Sequence, residues 1–354
     1  MQNLQSKQTN KRAATGLAVS ISAVAERADV SIATVSRVIN GVAKKASAET
    51  IGRVQKAVEE LGYRPLGAGR ALRRGESRLV AVLAANLANP SMAAMAAAAE
   101  VALRGAGYVM VLCDTHERPE LQDEYLLEMR AQYARGLVLL GAVDSPVLRS
   151  FIASGESLVF VNRRSPVPLD GERFVGIDNF AAGAEVADWM AQENFTTVGL
   201  IHGRLTSSAT AQRVDGFKGA LAEHKLKLPA SRVQTAQGTE HLQIGYDGMA
   251  RMLAQAKRPQ AVFCTSDLIA YGANRRAAES GLMGGRDIVF VGFDDNPLNP
   301  WVAPWLHAVR VPYSQYGAAI VSALTAAESQ FIILPHCLTI RLLDSLQVSM
   351  EQAA

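Results

Sequence analysis

Seven short apolar runs constrain this chain more than any other feature. They lie at 79–84 (LVAVLA), 108–113 (YVMVLC), 136–140 (GLVLL), 158–161 (LVFV), 197–201 (TVGLI), 261–264 (AVFC) and 288–291 (IVFV). None alternates apolar with polar residues, so the strands they predict are buried on both faces. The stretches between them, among them 91–105, 118–133, 210–225 and 267–280, are long enough for crossover helices. Continuous apolar strands alternating with helices make parallel sheets. Seven or more strands point to two α/β lobes with a cleft between them, and a length of 354 residues allows more than one domain.

Residues 20–65 follow a different pattern. Ser20 precedes ISAVAERA, where Ile21, Val24, Ala25 and Ala28 recur at helical spacing. After the turn DVS, Ser31 caps IATVSRVIN, with Val35, Val38 and Ile39 inward and Gly41 at the end. Ser47 opens a third helix with Ile51, Val54, Val58 and Leu61 on one face, and Gly62 and Pro65 stop it. Two short helices joined by a three-residue turn, followed by a third, predict a helix-turn-helix head. Residues 1–78 carry 14 Lys and Arg against 6 Asp and Glu, whereas the remainder carries 22 against 27. A basic head on a mildly acidic body calls for a polyanionic partner at the head alone.

In such a head the second helix enters the major groove. Ile32 and Ala33 suit a thymine methyl, and Arg37, with Ser36 beside it, can fork onto guanine. Ser31, Thr34, Asn40 and Ser47 suit phosphate contacts that fix register. Lys44 and Lys45, in a basic loop, add sequence-independent attraction.

Other classes of protein are disfavoured. Cys113, Cys264 and Cys337 are far apart and lie in apolar runs, so a disulfide framework or zinc knuckle is not expected, and buried free thiols are. The six histidines lack metal-ligand spacing, and no phosphate loop, nucleophile elbow or zinc-hydrolase motif occurs. We therefore expect no catalytic residue, metal or cofactor. No apolar run is long enough to span a bilayer, and Gly16, Ser20 and Ser22 break the weakly apolar N-terminal stretch. These features favour a cytoplasmic protein without a membrane partner over a transport receptor, which would need a leader and no basic head.

The segments VSIATVSRVIN, SAETIGRVQKAVEELGYRP, FVNRR, GIDN, AQRVDGF, SDLIAYG, VGFDDNPL and VRVP follow one another in an order that resembles the lactose/galactose-repressor family over residues 20–345. The resemblance implies a flexible tail at 1–19, a DNA-binding head at 20–65, a hinge at 66–78 and a two-lobed core at 79–354. That core is of the periplasmic-binding-protein kind, with lobe 1 at 79–177 and 309–330 and lobe 2 at 178–308 and 331–345. The lobes would be crossed near 177–179, 306–309 and 329–332. It implies a homodimer that reads pseudo-palindromic operator DNA under the control of a small polar effector such as a sugar, sugar acid or polyol. Family positions carried onto this chain place Ser91, Asn162, Ser207, Arg213, Glu240, Ser266 and Asp294 around the effector, with Trp301 and Trp305 near the cleft mouth or a crossing. Leu72 stands at the hinge's minor-groove wedge position, but Leu66 replaces the usual Asn after Pro65, and Gly67 and Gly69 weaken the hinge helix.

Overall fold

The computed structural model describes residues 19–41, 46–63, 77–236, 238 and 240–341. Lys44, Lys45, Pro65 and the hinge positions Leu66, Gly67, Gly69 and Leu72 lie outside the described residues, as does the tail up to residue 18. The chain divides into two compact units, residues 1–77 and 78–354.

The first unit holds α1 (Ile21–Arg27), α2 (Ile32–Ile39) and α3 (Ala48–Leu61). Each opens on a serine whose hydroxyl accepts a backbone N–H at 3.2 Å: Ser20 from Ala23, Ser31 from Thr34 and Ser47 from Thr50. Such a cap contributes about 1 kcal/mol. Gly62, left-handed at φ 62°, closes α3. Val24, Ala25, Ala28, Val35, Val54 and Ala57 form the small core.

In the second unit, β1 (Leu79–Ala84), β2 (Val109–Asp114), β3 (Gly136–Leu140), β4 (Leu158–Val161), β5 (Phe174–Ile177) and β11 (Phe331–Leu334) make one sheet. Its order is β11-β5-β4-β3-β1-β2, parallel throughout. The other sheet has the order β12-β10-β9-β8-β6-β7. It comprises β6 (Val198–Ile201), β7 (Val233–Gln234), β8 (Ala261–Cys264), β9 (Val289–Asp294), β10 (Leu306–Arg310) and β12 (Cys337–Thr339). Only β12 runs antiparallel, against β10. Helices α4 (Pro90–Gly105) and α12 (Tyr313–Thr325) cover the first sheet, and α7 (Asn179–Gln192), α8 (Ser208–Glu223), α9 (His241–Leu253) and α10 (Asp267–Glu279) belong to the second lobe; α5 (Pro119–Ala131), α6 (Pro146–Ala153) and the short α11 (Asn299–Val302) complete the set.

The chain passes from lobe to lobe after β5, at Ile177–Asn179, where the sequence places it. The other two expected crossings need correction. β10 pairs in parallel with β9 through Arg310, so residues 309 and 310 belong to lobe 2 and the crossing falls at 311–312. β11 pairs with β5, and Phe331 packs on Phe174 with ring centroids 4.9 Å apart, so residues 331–334 belong to lobe 1. The third crossing is at 335–336. Both shifts have one cause: the apolar runs stay in their sheets until a proline, Pro312 or Pro335, removes a ladder N–H. The thiol expectation also needs amending. Cys264 is buried and Cys113 half-buried, but Cys337 is exposed at the third crossing.

Candidate effector cleft and nucleic-acid interface

The ends of the strands, rather than the sheets themselves, carry the polar chemistry. In parallel α/β sheets ligands collect at the carboxyl ends of strands, and the cleft lies there. Among the described residues, nine other than glycine have positive φ. Four of them, Asp29, Tyr133, Asn194 and Lys225, follow helix ends. The other five are His116 and Glu117 after β2, Asn162 after β4, and Asp294 and Asp295 at the end of β9. Each costs of order 1–3 kcal/mol, which marks these loops as held in place by their surroundings.

Arg213, on α8, is buried, 7% exposed. Its Nε donates to Asn179 Oδ1 at 2.8 Å and its Nη1 to the Thr265 carbonyl at 2.8 Å, while the guanidinium sits 3.4 Å from the centroid of the Phe293 ring. It reaches Asn179 because α7 and α8 touch backbone to backbone. A methyl on Gly183 would stand 2.1 Å from the Arg213 carbonyl oxygen, and one on Gly216 would stand 2.0 Å from that of Phe180. Burial pushes the guanidinium down, and Asp294 opposes the shift.

Asp294 is buried at φ 110°. Burial raises its carboxyl to about 6, against the pull of Arg213 and the Ser91 hydroxyl. Its carbonyl accepts from Tyr313 Oη at 3.1 Å and from the Val311 N–H at 3.4 Å. Arg213 is thus bonded to the first crossing through Asn179, and Asp294 to the second through Val311 and Tyr313. Asp267 lies beneath. Burial, then Asp294, raises its carboxyl well above the carboxylate range, and its Oδ2 accepts from Asn296 N at 2.7 Å and from Asn299 Nδ2 at 2.9 Å.

The cavity between the lobes measures about 380 Å³. Lobe 1 contributes Asn89, Met92, Glu117 and Arg163, and lobe 2 contributes Glu240 and His241. Of the seven sequence-derived effector positions only Glu240, exposed at the head of α9, lines this cavity. Ser91 lies two residues beyond Asn89, to whose Oδ1 its hydroxyl donates at 3.0 Å. Ser266 meets His241 Nδ1 at 2.9 Å and also caps α10. Ser207 caps α8. Asn162 follows β4 and is half-buried. Trp301 is 84% exposed and Trp305 packs on Phe290, so neither lines the cavity.

Sequence reasoning missed Glu117, Arg163 and His241. Arg163 Nη2 donates to Glu117 Oε1 at 2.5 Å. Arg163 carried one usable signal, its place directly after a predicted strand beside Asn162. Glu117 carried none.

In the head, α2 turns Val35 into the core and leaves Ile32, Ala33 and Arg37 exposed; Ile32, an apolar side chain, is 49% exposed. Ser31 and Ser47 are occupied by capping, each also meeting a threonine hydroxyl, Thr34 and Thr50, at 2.9 Å. Asn40 Nδ2 donates to the Ser36 carbonyl at 2.6 Å, which places both at the far end of the same helix.

A helix-turn-helix head and a two-lobed, cleft-bearing core together define a DNA-binding regulator with an effector-binding domain. Residues 20–65 match the model of the lacI family of bacterial regulatory proteins, and residues 77–296 match that of periplasmic binding proteins and the sugar binding domain of the LacI family. The chain belongs to the LacI family. It is 30% identical to the HTH-type transcriptional repressor PurR of Proteus mirabilis over 85% of this chain and 88% of that one. It is 28% identical to catabolite control protein A of Staphylococcus epidermidis over 90% and 97%. Among solved structures it superposes on the transcriptional regulator CelR–cellobiose complex with TM-score 0.66, 26% identity and coverage of 91% and 99%. The Lac repressor dimer bound to operator and the anti-inducer ONPF shares the fold at TM-score 0.74 and 24% identity over 92% and 98%. The relatives named here are transcriptional regulators, not enzymes. Among the described residues no helix is long and apolar enough to cross a membrane.

Proposed function

We propose that this protein is a homodimeric, cytoplasmic repressor that reads a pseudo-palindromic operator and changes its grip on DNA when a small polar metabolite occupies the interlobe cleft. A sugar, sugar acid or polyol suits the donor and acceptor groups there. The observation that carries this reading is the attachment of Arg213 and Asp294 to two different crossings. Neither residue is in the cavity lining, so a ligand that reaches them acts on the segments about which the lobes turn: on Asn179 through the Arg213 side chain, or on Val311 and Tyr313 through the backbone carbonyl of Asp294. Differential contact with open and closed lobes is what lets a ligand shift such an equilibrium.

On the DNA side, Arg37 reads a base, while Ile32 and Ala33 contact a thymine methyl. Selection of a binding site from random duplexes, followed by fluorescence anisotropy, tests this. Arg37→Ala is expected to weaken operator binding by about 1–3 kcal/mol and random-sequence binding far less. Equal losses on both would make Arg37 a phosphate contact. Full-length protein titrated on its selected operator with candidate metabolites tests the core. Arg213→Ala is expected to abolish the response of operator affinity to any metabolite that alters it. An intact response would remove the cleft assignment.

A further inference from the structure

We propose that Glu117 is a built-in stand-in for an acidic group of the effector, holding Arg163 until a hydroxylated carboxylate displaces it. The proposal rests on the reading of this cleft as the effector site and names the class of ligand it takes.

Both side chains line the cavity, yet both are largely shielded: the Arg163 side chain is 16% exposed and that of Glu117 is 19%. Their contact, Nη2 to Oε1 at 2.5 Å, engages a single nitrogen of the fork. A guanidinium offers five donors in one plane, and a carboxylate can take two of them in parallel. The resident pair therefore leaves the stronger, two-point arrangement for a ligand.

The backbone is shaped around this pair. Glu117 follows His116 in a turn where both residues are left-handed, at φ 58° and 51°, and the Glu117 N–H is pinned to the Ala85 carbonyl at 2.7 Å. On the other side, Gly141 is left-handed at φ 88°, and a methyl there would stand 3.3 Å from Arg163 Nε and 3.1 Å from Ala85 Cβ. A strained turn delivers the acid and a glycine makes room for the guanidinium. Among the described residues the turn is tied to the ends of β1 and β2, at Ala84, Ala85 and Asp114.

Charge bookkeeping selects the ligand. Any ligand that takes Arg163 frees Glu117, but a neutral sugar would also leave the shielded Arg163 guanidinium without a counter-charge, which is costly. An acid replaces Glu117 charge for charge. The displaced Glu117 faces a second base across the cleft: His241, at the head of α9 in lobe 2, whose imidazole burial pushes down while the Glu117 charge opposes the shift. Exchange thus moves a carboxylate from a lobe 1 partner toward a lobe 2 partner and draws the lobes together.

Isothermal titration and thermal shift of the full-length protein with gluconate and glucuronate, against sorbitol and glucose at equal concentration, test the exchange. The acids are expected to bind and raise Tm, and the neutral compounds to leave it unmoved. In E117Q the competitor's charge is gone, so acid affinity is expected to rise roughly tenfold, the scale of a close charge pair; in R163Q acid binding is expected to be lost. Wild-type selectivity decides the matter even if a variant fails to fold. Stabilisation by neutral compounds alone, or weaker acid binding by E117Q, overturns the stand-in role. If such neutral binding is lost in Arg213→Ala, the cleft remains the effector site and only this inference falls; if binding survives Arg213→Ala, the cleft reading falls as well.

Discussion

The two lobes share one strand order and differ in what they bury at the strand ends. Read from the edge, β2-β1-β3-β4-β5-β11 in lobe 1 corresponds to β7-β6-β8-β9-β10-β12 in lobe 2. Lobe 2 buries Arg213, Asp267, Asp294 and Asp295, each at 9% exposure or less. Lobe 1 buries one carboxylate, Glu172 at 7%, paired with Arg164 in the loop between β4 and β5; against the loop after β3 it buries the neutral Gln122, 1% exposed, whose amide bridges Val143 and Ser145, and its charged pair Glu117–Arg163 stays at the cavity wall. Topology therefore does not decide which lobe does the chemistry. The charges make lobe 2 a stiff frame whose strand ends are fixed in advance, and they leave lobe 1 as the cover that responds.

The sharpest test of that contrast is Asp295. Its carboxylate accepts from Arg310 at 2.7 Å, from Thr339 at 3.2 Å and from Arg341. Those contacts tie the end of β9 to β10 and to the strand that returns from the third crossing. Asp295→Ala leaves the Arg341 side chain, only 13% exposed, without its counter-charge. Loss of one partner of a buried pair costs about 3–5 kcal/mol, so urea denaturation should show a drop of that size. The corresponding lobe 1 change, Glu117→Ala, is expected to cost about a third as much, because that pair reaches solvent in the cavity. Equal costs would erase the distinction between frame and cover.

A smaller effect is expected where backbones, not charges, hold the frame. Gly183→Ala forces a methyl against the Arg213 carbonyl, and α7 and α8 must separate. Overpacking of this kind costs about 1–3 kcal/mol. Because Asn179 and Arg213 sit on the two separated helices, the variant should also lose effector affinity, which titration of the folded protein measures. A purely thermal loss with unchanged affinity would show that the α7–α8 contact supports stability but does not aim Arg213.

These distinctions were unequally visible beforehand. The head was legible almost to the residue, because three serines and two glycines mark helix ends by local chemistry alone. The long apolar strands were equally plain. β5, β7, β10, β11 and β12 were not: LHAVR carries His307 and Arg310, and FIIL leaves Phe331 and Ile333 exposed at 49% each, so β10 and β11 take their places through sheet partners far away in sequence. Arg213 and Asp294 stood in motifs that resemble a family, and the structure buries them near one another, outside the cavity lining. Ser207 and Ser266 instead cap helices. The Glu117–Arg163 pair spans 46 residues of sequence and exists only because two strand ends meet; no local pattern encodes that.

The smallest expected effect concerns protons. Asp294 is raised to about 6 by burial, so in the absence of ligand the stability it contributes is fully present below its ordinary carboxylate range and is lost as pH rises through about 6. Effector binding should run the other way. Ligand hydroxyls donate to an ionised carboxylate, so the ionised fraction limits affinity, and that fraction rises about tenfold between pH 5 and pH 7 and then levels off. Burial pushes the His241 imidazole down, away from the upper end of this window. Titration of a neutral polyhydroxyl ligand or an acid across that range measures the slope, and Asp294→Asn should flatten it while lowering affinity at pH 7. A slope that persists in Asp294→Asn would take the proton off Asp294 and would deny the frame its role in this step.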